Sequence, residues 1–296
     1  VTRPVILVTG GTGQVGWELA RALAPLGRVV APGRGELDLA DEAGVRAAVR
    51  RLAPALVVSA GAHTAVDRAE SEPELAHAIN AVAPGALAEE AARLGAPVVH
   101  FSTDYVFDGG KETAYTEADA PNPLGVYGRT KLAGERAVEA AGGAHLVLRT
   151  SWVYGARGHN FMRTILRLAR ERDELRIVAD QTGAPTWSRM LAEAVAAIVA
   201  GCRAAEGFAI PRERWGVYHL AAAGSTTWHG FAEAIVAGDP ARHEQRCRRV
   251  VPIATEEYPT PAPRPRRSTL DGARAEGSFG VRLPDWREQL ALCMEP

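Results

Sequence analysis

The sequence predicts an α/β protein of Rossmann type: a doubly wound parallel sheet followed by a smaller C-terminal substrate-binding lobe. Three observations carry this. Short apolar runs alternate with longer stretches of helical spacing through the first half, the pattern of βαβ units. The runs are apolar throughout rather than alternating, as strands covered on both faces must be. A glycine-rich turn, Gly10-Gly11-Thr12-Gly13-Gln14-Val15-Gly16, joins the first run to the first helical stretch.

Composition narrows the class. A chain of 296 residues can hold one large domain or nearly two ordinary ones. With 47% hydrophobic and 23% charged residues it is globular rather than disordered. A net charge of −1 leaves no basic excess for nucleic acid. Cys202, Cys247 and Cys293 are scattered, with no C-x-x-C spacing. Neither a disulfide framework nor a zinc site is expected, and a reducing cytoplasm fits. No apolar run reaches the roughly 18 residues of a membrane span. Val1-Thr2-Arg3-Pro4 leads straight into the first strand, leaving no room for a signal peptide. The expected partner is a small-molecule substrate, with no nucleic acid and no membrane.

Val5-Ile6-Leu7-Val8-Thr9 is the first strand. Gly10, Gly13 and Gly16 then permit a tight turn and close approach of backbone to a pyrophosphate. Gln14 and Val15 lie at the amino end of the following helix, which supplies donors and a positive dipole for an anion. Arg28 to Pro32 reads as the second strand. Arg34 follows where an NAD-preferring site would place Asp or Glu against the ribose hydroxyls. It either meets a 2′-phosphate, which favours NADPH over NADH, or stands exposed in a loop. Asp38-Leu39 comes next, with Asp38 placed to bond an adenine amino group, and Asp41 reads as a helix N-cap.

Leu56 to Ala60 is the third strand, ending in Gly61-Ala62-His63-Thr64. Small residues at a strand's carboxyl end suit a ligand passing close to the backbone. Ala60, Ala62, His63 and Thr64 are therefore candidate cofactor contacts, His63 as a loop residue rather than a base. Residues 73 to 94 are helical, with Pro84 kinking or breaking the run. Residues 97 to 101 form the fourth strand and place the Thr103 hydroxyl at its end, where active sites form. His145 to Thr150 is the next strand.

Between those two strands stands Tyr127-Gly128-Arg129-Thr130-Lys131, at the head of an Ala/Glu-rich helix. Positions i and i+4 share a helix face, so phenol and ammonium project together. The cation favours the phenolate and lowers a pKa that is ordinarily near 10, making tyrosine a useful proton donor. The same spacing also occurs as a solvated pair on a helix surface.

Beyond residue 155 the strands shorten and the loops lengthen. Residues 161 to 169, 190 to 199 and 228 to 236 read as helices, the last capped by Thr226 or Thr227. Residues 176 to 178 and 217 to 220 read as strands. The dinucleotide-binding domain is set at 1–155, with room for later segments to return to it, and 156–296 forms mainly the substrate-binding lobe. Residues 254 to 265 are proline-rich and extended or looped. Arg264, Arg266 and Arg267 either meet a substrate diphosphate or form an exposed basic loop.

Several strings together resemble the dTDP-4-dehydrorhamnose reductase family of the extended short-chain dehydrogenase/reductases. They are Gly13-Gln14-Val15-Gly16, His63-Thr64-Ala65-Val66-Asp67, Ser102-Thr103-Asp104-Tyr105-Val106-Phe107, Val126-Tyr127-Gly128 and Arg149-Thr150-Ser151-Trp152-Val153-Tyr154. Asp180-Gln181, Gly183-Ala184-Pro185-Thr186 and Tyr258-Pro259-Thr260-Pro261 extend the likeness, which thins after about residue 265. The resemblance implies reduction of the 4-keto group of a dTDP-6-deoxy-L-hexulose by NADPH or NADH. Tyr127 would donate a proton to the C4 oxygen. Lys131 would hold the nicotinamide ribose, and Thr103 would hydrogen-bond the carbonyl. Asp104 and Trp152 would contact the sugar nucleotide, the indole through a stacking face; a core tryptophan is the other reading of Trp152.

Ser59-Ala60-Gly61-Ala62 stands where the family commonly writes Asn-Ala-Ala-Ala. The resemblance also brings Mg2+ at a dimer contact, with Glu288 and Glu295 as the acidic residues of the last segment and their match open; monomer and homodimer both remain. Two further readings share the fold. One is a dTDP-4-ketohexose reductase serving another deoxysugar, of streptose or antibiotic type. The other is a non-catalytic regulatory subunit of the methionine adenosyltransferase type, against which Thr103, Tyr127 and Lys131 argue.

Overall fold

The computed structural model describes residues 3–205 and 207–295. Strands β1 (Val5–Thr9), β2 (Arg28–Val30), β3 (Leu56–Ser59), β4 (Val98–Thr103) and β5 (His145–Thr150) form one parallel sheet. Each strand splits its apolar residues between two faces, as the period of two requires. Ile6 and Val8, Leu56 and Val58, Val99 and Phe101, and Leu146 and Leu148 enter one core; Leu7, Val57, Val98 and Val147 enter the other. Helix α1 (Gln14–Ala22) covers the first face, while α2 (Glu42–Leu52), α5 (Ala83–Arg93) and α6 (Val126–Ala140) cover the second. Two short helices, α3 (Val66–Ala69) and α4 (Pro73–His77), link β3 to α5.

Asp41 caps α2 as expected, accepting from the Gly44 N–H at 3.0 Å. The break at Pro84 takes a specific form. The helix continues through a wide π turn at Ala78–Val82, and Pro84 sits in the first turn of α5. Proline has no N–H for the carbonyl four residues back, that of Asn80, so the chain widens there. That carbonyl lies against α6, where a Cβ on Gly134 would meet it at 2.1 Å.

The second half contributes to both layers. Strand β6 (Glu174–Val178) pairs in parallel with β8 (Arg249–Ile253) outside the main sheet. Between them in sequence, β7 (Gly216–His219) joins β5 as the sixth strand, giving the order β7-β5-β4-β3-β1-β2. Helix α8 (Ser188–Gly201) also returns, burying Leu191, Val195 and Ile198 in the α1 core. Helices α7 (Phe161–Glu171), α9 (Trp228–Gly238, capped by Thr227) and α10 (Trp286–Met294) enclose a separate core around Phe231 and Trp286. The proline-rich stretch is irregular but begins with a 3-10 turn at Thr255–Glu257. Among the described residues no helix is long and apolar enough to cross a membrane.

Candidate active site

The order β2-β1-β3 reverses the winding at β1, and a ligand crevice is expected at the carboxyl ends there. A cavity of about 690 Å³ opens at that point. It runs from the glycine turn past the ends of β3 and β4 to Trp152, Phe161 and Trp228. Gly10 has φ +71°, and a Cβ on it would stand 2.6 Å from the Gly61 Cα. A Cβ on Gly16 would stand 2.1 Å from the Gly10 carbonyl oxygen. The turn after β1 and the loop after β3 therefore touch backbone to backbone, and the α1 amino end lines the cavity. That is the shape and polarity a pyrophosphate needs.

Of the residues singled out from sequence, Gly10, Gly13, Gln14, Val15, Gly16, Arg34, Asp38, Leu39, Ala60, Ala62, Thr64, Thr103, Asp104, Tyr127, Lys131 and Trp152 all line this cavity. His63 does not. Its ring is buried and turned toward Glu72, 3.2 Å away, and its backbone N–H donates to Asn80 at 2.8 Å. Thr12, Phe101, Tyr105, His159, Asn160, Phe161 and Trp228 line the cavity without having been singled out. Tyr105 stood inside the Ser102–Phe107 string, whereas Phe161 and Trp228 read only as helix starts.

Tyr127 and Lys131 occupy one face of α6, and Thr103 ends β4 opposite them. Burial pushes the Tyr127 phenol up to about 12; a hydrogen bond with Thr103 opposes the shift, and Asp104 adds to it. The depressed phenol expected from the Tyr–Lys spacing is therefore not the resting state. Lys131 donates to the Phe101 carbonyl at 2.6 Å, and burial pushes its own pKa down to about 8, with Glu135 opposing. Asp104 is pushed up to about 6 by burial, against hydrogen bonds from Ser268, Thr103 and Ser151. Tyr105 packs edge-on against Tyr127, centroids 5.5 Å apart.

Trp152 also departs from expectation. It holds a left-handed backbone, φ +46°, and stacks on Trp228 at 3.5 Å with 3° between the planes. A Cβ on Gly183 would stand 2.4 Å from Trp152 Cε2, closer than to either neighbouring ring atom. An in-plane approach would meet the flanking atoms first, so Gly183 lies over the other face. Trp228 covers one face of the indole, and Gly183 lies over the Nε1–Cζ2 part of the other. Arg264 binds Asp67 through two nitrogens, at 3.0 and 2.8 Å, and also the Ala262 carbonyl. It pins the proline-rich segment to α3. Arg266 and Arg267 are exposed, 3.7 Å from Asp180 and Glu112. Arg34 is exposed at the cavity rim. Among the described residues no group of three or more His, Cys, Asp or Glu could hold a metal ion, so the magnesium brought by the resemblance finds no donor set there.

The parallel sheet, the glycine turn at its switch point and the long cleft define the class, an α/β oxidoreductase built for a dinucleotide. The chain belongs to the family described as the RmlD substrate binding domain, whose model matches residues 4–296. It is 50% identical to the dTDP-4-dehydrorhamnose reductase of Burkholderia thailandensis, covering 98% of this chain and 97% of that one. The crystal structure of a dTDP-4-dehydrorhamnose reductase from Clostridium acetobutylicum superposes with a TM-score of 0.89 at 35% identity, covering 98% of both chains. That of the Bacillus anthracis dTDP-4-dehydrorhamnose reductase in complex with NADP gives 0.88 at 32%, covering 99% of both.

Proposed function

We propose that the protein reduces the 4-keto group of dTDP-4-dehydro-L-rhamnose to the hydroxyl of dTDP-L-rhamnose, using NADPH. The observation that carries this is the convergence of Thr103, Tyr127 and Lys131 on the cavity that also holds the glycine turn. NADPH, when bound, supplies the hydride that C4 receives. The residues present fit it: the Gly10–Gly16 turn suits the pyrophosphate, Asp38 and Leu39 the adenosine side, and Arg34 a 2′-phosphate.

Tyr127 donates the proton that the C4 oxygen takes up, so that ketone, hydride and proton balance as a secondary alcohol. Its burial keeps the phenol protonated until a partner draws the proton away. Lys131, buried and cationic near neutral pH, holds the nicotinamide ribose and stabilises the phenolate left behind. Thr103 bonds the same carbonyl oxygen and fixes its angle. Asp104 and Trp152 contact the sugar nucleotide, which enters from the lobe formed mainly by residues 156–296.

Replacing Tyr127→Phe removes the donor and lowers kcat by about 10²–10⁴-fold; undiminished reduction in that variant would remove this mechanism. A panel of dTDP-4-keto sugars tests the substrate, since poor turnover of the rhamnose precursor beside fast turnover of another sugar would reassign it. Arg34→Ala should raise KM for NADPH and leave that for NADH unchanged. Equal effects on both would mean that Arg34 does not read the 2′-phosphate.

A further inference from the structure

The side of the sheet beneath α6 changes character along its length. On β4 the residues facing the helix run from Val98 to His100 and Ser102; on β5 they run from Val147 to Arg149. Apolar packing thus gives way to a buried polar layer directly under the catalytic helix. At its centre is Glu135, one helical turn beyond Lys131. Arg149 grips it with two bonds, at 2.9 and 2.7 Å, and the Ser102 hydroxyl donates to it at 2.5 Å. The side chains of Arg149 and Glu135 are only 4% and 5% exposed.

A buried ion pair gains little net stability, because desolvating both charges offsets their attraction; well-packed apolar residues often do as well. The pair's position suggests a different use. Ser102 immediately precedes Thr103, while Glu135 shares a helix with Tyr127 and Lys131. One carboxylate therefore joins the strand and the helix that carry the three reacting groups.

We propose that Glu135 is a positioning residue of this site. Held by Arg149 and Ser102, it sets the register of α6 against β4 and supplies the anion that keeps buried Lys131 cationic. This rests on the reductase reading for the roles of Tyr127 and Lys131. The charged and titratable groups that act on Lys131 are Glu135 on its own helix and His100 on β4, with Arg149 on β5 bound to Glu135. His100 is held neutral by burial and by the lysine charge. Only Glu135 favours the cation, so losing its charge lets Lys131 deprotonate at lower pH.

The test measures NADPH affinity against pH by energy transfer from tryptophan to the bound dihydronicotinamide, which needs no sugar substrate. In the wild type, affinity weakens as pH rises through about 8. In Glu135→Gln the midpoint should fall by about one pH unit, and kcat by about 10–10²-fold, the scale of a misplaced reacting group. KM for the sugar nucleotide should change less than about threefold. A lower melting temperature with the midpoint unmoved would mark a purely structural pair and overturn the proposal.

If Glu135→Gln does not fold, Glu135→Leu with Arg149→Met removes both charges together. A regained melting temperature with depressed kcat supports the assignment, since stability is restored while the register is not; a wild-type kcat overturns it. Wild-type turnover in Tyr127→Phe would sink the reductase chemistry while leaving the cofactor midpoint readable.

Discussion

Asp104 is a residue whose environment changes its chemistry within an accessible pH range. It is 2% exposed, and burial holds its pKa near 6, above the ordinary carboxyl value of 3.8. A carboxyl whose folded pKa is raised contributes stability below its unfolded pKa and loses it as pH climbs through the folded value. The window here runs from about pH 4 to about pH 6, and the loss is on the order of 2–3 kcal/mol at about 1.4 kcal/mol per pKa unit. Asp104→Asn should flatten the pH dependence of denaturant-measured stability across that window; an unchanged slope would mean that Asp104 titrates normally. The same ionisation bears on function. Thr103 donates to Asp104 at 3.1 Å and also bonds Tyr127, so an approaching ketone must compete for that hydroxyl.

At the level of elements, α6 owes its position to close contacts that a sequence pattern does not display. Its amino end has no cap of its own; Glu70, just beyond α3, accepts the Val126 N–H at 2.7 Å. Its middle rests on the carbonyl that Pro84 leaves free at Asn80. Gly134→Ala would drive a Cβ to 2.1 Å from that oxygen. The backbone must move, so urea unfolding should show a loss of about 1–3 kcal/mol. Catalytic efficiency should fall with it, because α6 carries Tyr127 and Lys131. An alanine variant as stable and as active as the wild type would mean that the helix has slack here.

Across the whole molecule, the cavity joins segments far apart in the chain. Gln14 meets Asn160 at 2.9 Å, and Trp152 stacks on Trp228. A ligand lodged against these segments binds only the folded chain. NADPH at a hundred times its Kd should therefore add about 2.7 kcal/mol of stability. The melting temperature should rise by about 5 °C, measured by calorimetry. A thermogram unmoved by NADPH would argue against the cofactor assignment itself.

Much of this was legible from residue order. The first five strands, the glycine turn and the α6 face bearing Tyr127 and Lys131 follow from local periodicity and backbone chemistry, which act over a few residues and survive in the string. The covering of Trp152 does not, because Gly183 and Trp228 reach it from other parts of the chain. The same is true of Arg264, which pairs with Asp67, and of His63, which turned to Glu72. Residue order was enough for the fold class and the family and for setting Tyr127 and Lys131 on one helix face, since each depends on spacing along a helix, strand or turn. Only the tertiary structure decided which way those groups face and how strongly they hold their protons. Burial and long-range contacts set both, and neither is a property of neighbours in sequence.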